Sequence, residues 1–130
     1  MTPDIEKQIV KSYPLVFRPI DPREPIMMFG IECFDGWASI IDSLCQQITN
    51  YLESEDGKYF REDFYVTQIK SKLGTLRFHV SRADDKIYAL VDQTEQQSER
   101  TCEECGMPGS LIVIKGWQWT LCERCANLKR

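Results

Sequence analysis

The sequence predicts an α+β fold: helices packed on a small antiparallel β-sheet, followed by a C-terminal four-cysteine zinc ribbon. Three patterns predict it. Residues 36–52 carry apolar side chains at helical spacing, residues 75–80 alternate apolar with polar, and two Cys-x-x-Cys pairs bracket sixteen residues near the end. The expected division is an α+β domain over 1–100, with a Pro-rich N-terminal segment, and a zinc ribbon over 101–130.

The first helix is read from Thr2 as its cap and Pro3 at its first position, where the missing N–H has no intrahelical partner anyway. Ile5, Ile9 and Val10 form its apolar stripe. Pro14 disfavours helical geometry in Tyr13, so the helix should stop near Ser12. Pro14, Pro19, Pro22 and Pro25 then imply an extended path along the surface. The strongest helix covers Gly36 to Leu52, with Asp35 as its cap and Trp37, Ile40, Ile41, Leu44, Cys45, Ile48 and Leu52 on one face. Strands follow at about Phe64–Lys70 and Thr75–Val80, with Gly74 in the turn between them. A third helix spans about Asp84–Glu99. Its polar end, from Gln93, reads as a stalk leading to the cysteines.

Composition narrows the function. The 130 residues are 42% hydrophobic and 28% charged, as in ordinary globular proteins. The net charge of −4 opposes binding to a phosphate backbone, which requires local cations. No apolar run approaches the length of a membrane span, and Met1–Glu6 lacks the basic and apolar regions of a secretory signal. The reading is therefore a cytoplasmic protein with no membrane partner. In that setting six cysteines, four of them in Cys-x-x-Cys pairs, point to metal rather than disulfides.

The predicted ligands are Cys102, Cys105, Cys122 and Cys125. Two cysteines two residues apart in a tight turn can aim both sulfurs at one ion, and Gly106 suits such a turn. A hairpin over Leu111–Ile114 and Trp117–Leu121, turning at Lys115-Gly116, would bring the two pairs together. Four thiolates fill a tetrahedron and leave no position for substrate, so the expected cofactor is a structural Zn²⁺. Iron, including an iron–sulfur cluster, is the rival occupant of four cysteines.

The run Thr120-Leu121-Cys122-Glu123-Arg124-Cys125-Ala126-Asn127 resembles the second knuckle of ribbon and treble-clef fingers, including GATA-type fingers. The resemblance implies a short helix starting at the second pair. Glu103 and Glu104 in the first knuckle, and a basic tail of only Lys129-Arg130, depart from the DNA-binding members. Residues 30–37, 66–70, 74–78 and 101–106 resemble a group of small phage and prophage proteins, which implies a viral or mobile-element setting.

Four further constellations suggest chemistry. Lys70, Lys72, Arg77 and His79 fall in an acid-free stretch and offer an anion or nucleic-acid contact; the plainer reading is a solvated sheet face with lysines guarding its edge. Gln68-x-Lys70 resembles the Gln/Glu-x-Lys strand of a nuclease superfamily, with Asp63 or Glu32 as metal carboxylates, but a loop is expected where that chemistry needs a preceding strand. Cys33 and His79 form a nominal nucleophile–base pair. Trp117 and Trp119 share one side of the ribbon, either packed against the domain or anchoring a protein partner, with Glu103, Glu104 and Glu123 as a polar rim. The leading expectation is a non-enzymatic interaction protein, an adaptor or inhibitor. Nucleic-acid binding is the alternative, and a metal-dependent nuclease lies further off.

Overall fold

A computed structural model describes residues 1–18 and 30–130. The order is α1 (Pro3–Ser12), β1 (Ile31–Glu32), a 3-10 turn (Asp35–Trp37), α2 (Ala38–Leu52), a second 3-10 turn (Lys58–Phe60), β2 (Val66–Lys72), β3 (Thr75–Val80), α3 (Asp85–Ser98), β4 (Ser110–Ile114), β5 (Trp117–Leu121) and α4 (Glu123–Lys129). The class is α+β.

The first sheet has the order β1-β2-β3 and is mixed. β2 and β3 form the expected antiparallel hairpin, with Ile69 opposite Phe78 and Lys70 opposite Arg77. β1 adds a short parallel strand that places Glu32 opposite Lys70, where a loop was expected. Two residues carry too little periodicity to announce a strand.

One face of this sheet packs on α2 and α3. Ile69, Leu76 and Phe78 meet Trp37, Ile41, Leu44, Ile48, Ile87 and Val91 in a single apolar core. Burying each large side chain contributes roughly 1.5–3 kcal/mol.

Several local expectations change. Thr2 occupies the N-cap position of α1, but its side chain makes no capping bond. Its amide donates to Asp35 Oδ1 at 2.7 Å, and its hydroxyl bonds the other carboxylate oxygen. Asp35 is thereby engaged with α1 and provides no side-chain cap for α2. The segment after α1 is no surface path at its start: Val16 and Phe17 are fully buried, and Val16 accepts a bond from the Val66 amide at 2.9 Å. Pro19, Pro22 and Pro25 lie outside the described residues.

The polar end of α3 is not a stalk. Ser98 Oγ accepts the Leu76 amide at 3.0 Å, and Glu95 Oε2 accepts the Phe78 amide at 2.8 Å. These side chains satisfy the outer edge of β3, which would otherwise be open to pairing. Polar residues were required there by an unpaired strand, a demand invisible in helical periodicity.

Candidate metal centre

The C-terminal module forms as the spacing predicts. β4 and β5 pair antiparallel around Lys115-Gly116, both with positive φ, and Ile112 lies opposite Trp119. In the first knuckle, the Gly106 amide donates to the Cys102 carbonyl at 2.9 Å, and the Cys102 amide donates to the Met107 carbonyl at 2.7 Å. Gly106 has a φ of 81°, which permits this turn. In the second knuckle, Cys122 caps α4, and its Sγ accepts the Cys125 amide at 3.5 Å.

These turns place one sulfur each from Cys102, Cys105, Cys122 and Cys125 within 4.8 Å of one another. Cys105 Sγ and Cys122 Sγ are 3.7 Å apart, too far for a disulfide. All six cysteines are free thiols. The four clustered ones form a site that can hold a metal ion. The bond from the Cys125 amide lowers the Cys122 thiol to about 7, while burial raises Cys125 to about 12. Cys102 is fully buried and Cys105 is exposed, so the cluster lies at the module surface.

The centre is joined to the rest of the chain by hydrogen bonds to its ligand-bearing backbone. The Gly36 amide donates to the Glu103 carbonyl at 2.9 Å, and Trp37 Nε1 donates to the Thr101 carbonyl at 2.8 Å. A Cβ on Gly36 would lie 2.2 Å from the Cys102 carbonyl oxygen, so only glycine permits this approach. On the other side Thr120 Oγ1 donates to the Gly74 carbonyl at 2.7 Å. Glu103, read as part of a polar rim, is instead 1% exposed. Its Oε2 accepts the Thr120 amide at 2.9 Å, and burial raises its carboxyl above the usual range. Glu104 pairs with Lys129 at 2.8 Å. The bracketing cysteines draw attention from Glu103, and nothing in a Cys-x-x-Cys spacing says which intervening residue turns inward.

The two tryptophans share a ribbon face yet differ in setting. Trp117 is 72% exposed. Trp119 stacks on Phe34 with ring centroids 6.0 Å apart, and the Lys129 ammonium lies 4.2 Å from the Trp119 ring centroid. Phe34 carried no sequence signal beyond being aromatic.

Lys70, Lys72, Arg77 and His79 fall on the sheet face opposite the core, as the register requires. Glu32 is on β1 beside Lys70, yet among the described residues no further metal-ligating side chains gather around it or around Asp63. Cys33 follows β1 and is buried, which pushes its thiol up to about 12. His79 is exposed on β3, across the intervening β2, so the fold does not pair the two. Cys45 is fully buried on α2. No helix among the described residues is long and apolar enough to cross a membrane.

Comparison with models of protein families, with curated proteins and with solved structures finds no match for this chain.

Proposed function

We propose that this chain is a non-enzymatic interaction protein whose ribbon is stabilised by one structural Zn²⁺. In the phage or prophage setting implied by its sequence resemblance, it acts as an adaptor or inhibitor of a host protein in the host cytosol. The observation that carries the zinc in this reading is the sulfur geometry. A tetrahedron with Zn–S bonds of about 2.3 Å has sulfur–sulfur edges of about 3.8 Å. The Cys105–Cys122 separation of 3.7 Å matches such an edge, and all four sulfurs fall within 4.8 Å. Four thiolates saturate the ion, so its role is to hold the two knuckles together rather than to activate water. The exposed Trp117 beside the half-buried Trp119 supports a protein partner, because tryptophan supplies large contact area at low side-chain entropy cost.

Nucleic-acid binding is the second reading. It is favoured by the register that gathers Lys70, Lys72, Arg77 and His79 on one sheet face. Salt separates the two. Partner capture by the zinc-loaded protein should survive moderate salt and fall with Trp117→Ala. Nucleic-acid binding should collapse with salt and fall with Lys70→Ala/Arg77→Ala.

A further inference from the structure

The strand edges of this chain are treated unequally. Glu95 and Ser98 accept the outward amides of β3, and Glu103 meets β5 at Thr120. The edge of β4 has no such cover. Its residues, Ser-Leu-Ile-Val-Ile, include no charge and no proline, the features that ordinarily keep an edge from pairing.

The register says which backbone groups are open. The two-residue turn Lys115-Gly116 makes Ile114 and Trp117 a hydrogen-bonded pair, and bonded and non-bonded pairs alternate from there. Leu111 and Val113 therefore aim their amides and carbonyls away from β5. Thr120, opposite Leu111, fixes the same phase, because it exchanges its own groups with Glu103. Among the described residues nothing bonds the outward groups of Leu111 and Val113. Their side chains are 51% and 65% exposed. The open stretch is closed at both ends. The Gly109 amide donates to the Arg100 carbonyl at 2.9 Å, and the chain turns away at Lys115.

Leu73 adjoins this surface. A Cβ on its neighbour Gly74 would lie 2.7 Å from Leu111 Cδ1, so the β2–β3 turn rests against Leu111. Leu73 is exposed and has a φ of 55°, a region that favours glycine, asparagine or aspartate. Neither turn chemistry nor burial accounts for a leucine there.

We propose that the β4 edge pairs with β4 of a second copy, antiparallel about a two-fold axis at Ile112, joining the two ribbons into one sheet. Three features select a copy over any other occupant. Leu111 of each chain then faces Val113 of the other, so every open amide and carbonyl finds a partner. Gly109, whose amide is already taken, falls opposite Lys115 of the copy, where the copy's strand turns away. An extended peptide that ran on would meet the segment bridged at Thr101 and Pro108. The strands brought together are uncharged, so no like charges are opposed. The contact is far smaller than the roughly 20–30 residues a side of a standard interface, so the dimer is weak and reversible. Trp117 and Trp119 lie on the other face of the ribbon, so this pairing does not rest on the partner contact proposed above.

The test is sedimentation equilibrium of the full-length, zinc-loaded protein, with amide NMR on a dilution series. The expected result is a monomer–dimer equilibrium with a Kd between about 10 μM and about 1 mM, and concentration-dependent shifts at the Leu111 and Val113 amides. Val113→Lys should weaken association about tenfold or more, as charge does on an edge strand. Val113→Pro deletes an outward amide that makes no bond within the ribbon and should do the same. Mixing reads the register. Leu111→Glu and Val113→Lys chains should associate about threefold more tightly with each other than either does alone, because the two-fold sets 111 against 113. Metal content and the Trp119 indole resonance should match wild type in each variant, which separates a lost contact from a lost fold. Wild type that stays monomeric at about 1 mM, or shifts confined to other surfaces, would overturn the proposal. So would association unchanged by Val113→Lys, or no gain on mixing.

Discussion

The ribbon and the α+β body hold their shapes by different means. In the body, Trp37, Ile41, Leu44, Leu52, Ile69 and Ile87 are fully buried in one continuous apolar cluster. The ribbon's buried cluster is Cys102, Ile114, Leu121, Cys125 and Ala126, so two of its five members belong to the four-cysteine cluster that can hold a metal ion. A segment of about thirty residues cannot remove enough apolar surface from water to offset its chain entropy, and a two-stranded hairpin is marginal alone. On the reading proposed above, the body stands on its core, whereas the ribbon depends on an ion and on its dock. The dock is built from hydrogen bonds to backbone carbonyls: the Gly36 amide to Glu103, the Trp37 indole to Thr101, and the Thr120 hydroxyl to Gly74. Such a junction places the ligand turns accurately without contributing a large apolar area.

The largest expected effect breaks the comparison at the metal. Chelation should abolish hydrogen-exchange protection from about residue 101 onward and leave α2 protected, because metal binding and folding of a small four-cysteine module are one equilibrium. Loss of protection along Ala38–Leu52 at the same chelator concentration would show that the two regions form a single cooperative unit.

Next comes the dock. Gly36→Ala places a methyl group 2.2 Å from the Cys102 carbonyl oxygen and should destabilise the ribbon by about 3 kcal/mol through overpacking. Thermal unfolding monitored at Trp119 should record it, and an unchanged midpoint would refute the junction as described.

The tryptophans sharpen the comparison further. Trp119→Ala removes the ring stacked on Phe34 and should cost the ribbon about 2 kcal/mol, below the range for a fully buried tryptophan. Trp117→Ala should stay within about 0.5 kcal/mol, as expected of an exposed side chain. Equal losses would place both rings in the packing and remove Trp117 as a contact surface.

The smallest effect lies in the body, at the residue before Gly36. Hydrogen bonds from the Thr2 hydroxyl and amide hold the Asp35 carboxyl below its usual range. A depressed folded-state pKa contributes stability above the unfolded value, and that contribution disappears as pH falls through the folded one. Protection of the Thr2 amide should therefore decline on acidification in the wild type and be weak and pH-independent in Asp35→Asn. A wild-type decline only above the ordinary carboxylate range would contradict the assignment.

Where local pattern carried the information, the sequence was readable. Period-3.6 spacing placed α2 and α3, alternation placed β3, and the cysteine spacing with its Lys115-Gly116 turn placed the ribbon hairpin. Features set by distant partners were not readable. Glu95 and Ser98 looked like an exposed helix end because the strand edge they satisfy is about twenty residues away in sequence. Glu103 looked like a rim acid because its partner Thr120 lies across the knuckle. The role of Gly36 depends on the approach of the Cys102 backbone, and the cavity lined by Phe34 and Trp119 exists only once ribbon and body meet. The gathering of the four cysteine sulfurs was legible because a metal site requires particular atoms at a particular spacing, a stronger constraint than burial imposes on any apolar position.

The central claim is that one zinc ion, held by four named sulfurs, makes the ribbon. Elemental analysis by native mass spectrometry, on wild type and on Cys102→Ser/Cys122→Ser, tests it most directly. The account predicts one zinc per wild-type chain and none in the double variant, with Cys33 and Cys45 remaining free thiols in both. Iron in the wild type, or full zinc occupancy in the double variant, would contradict it.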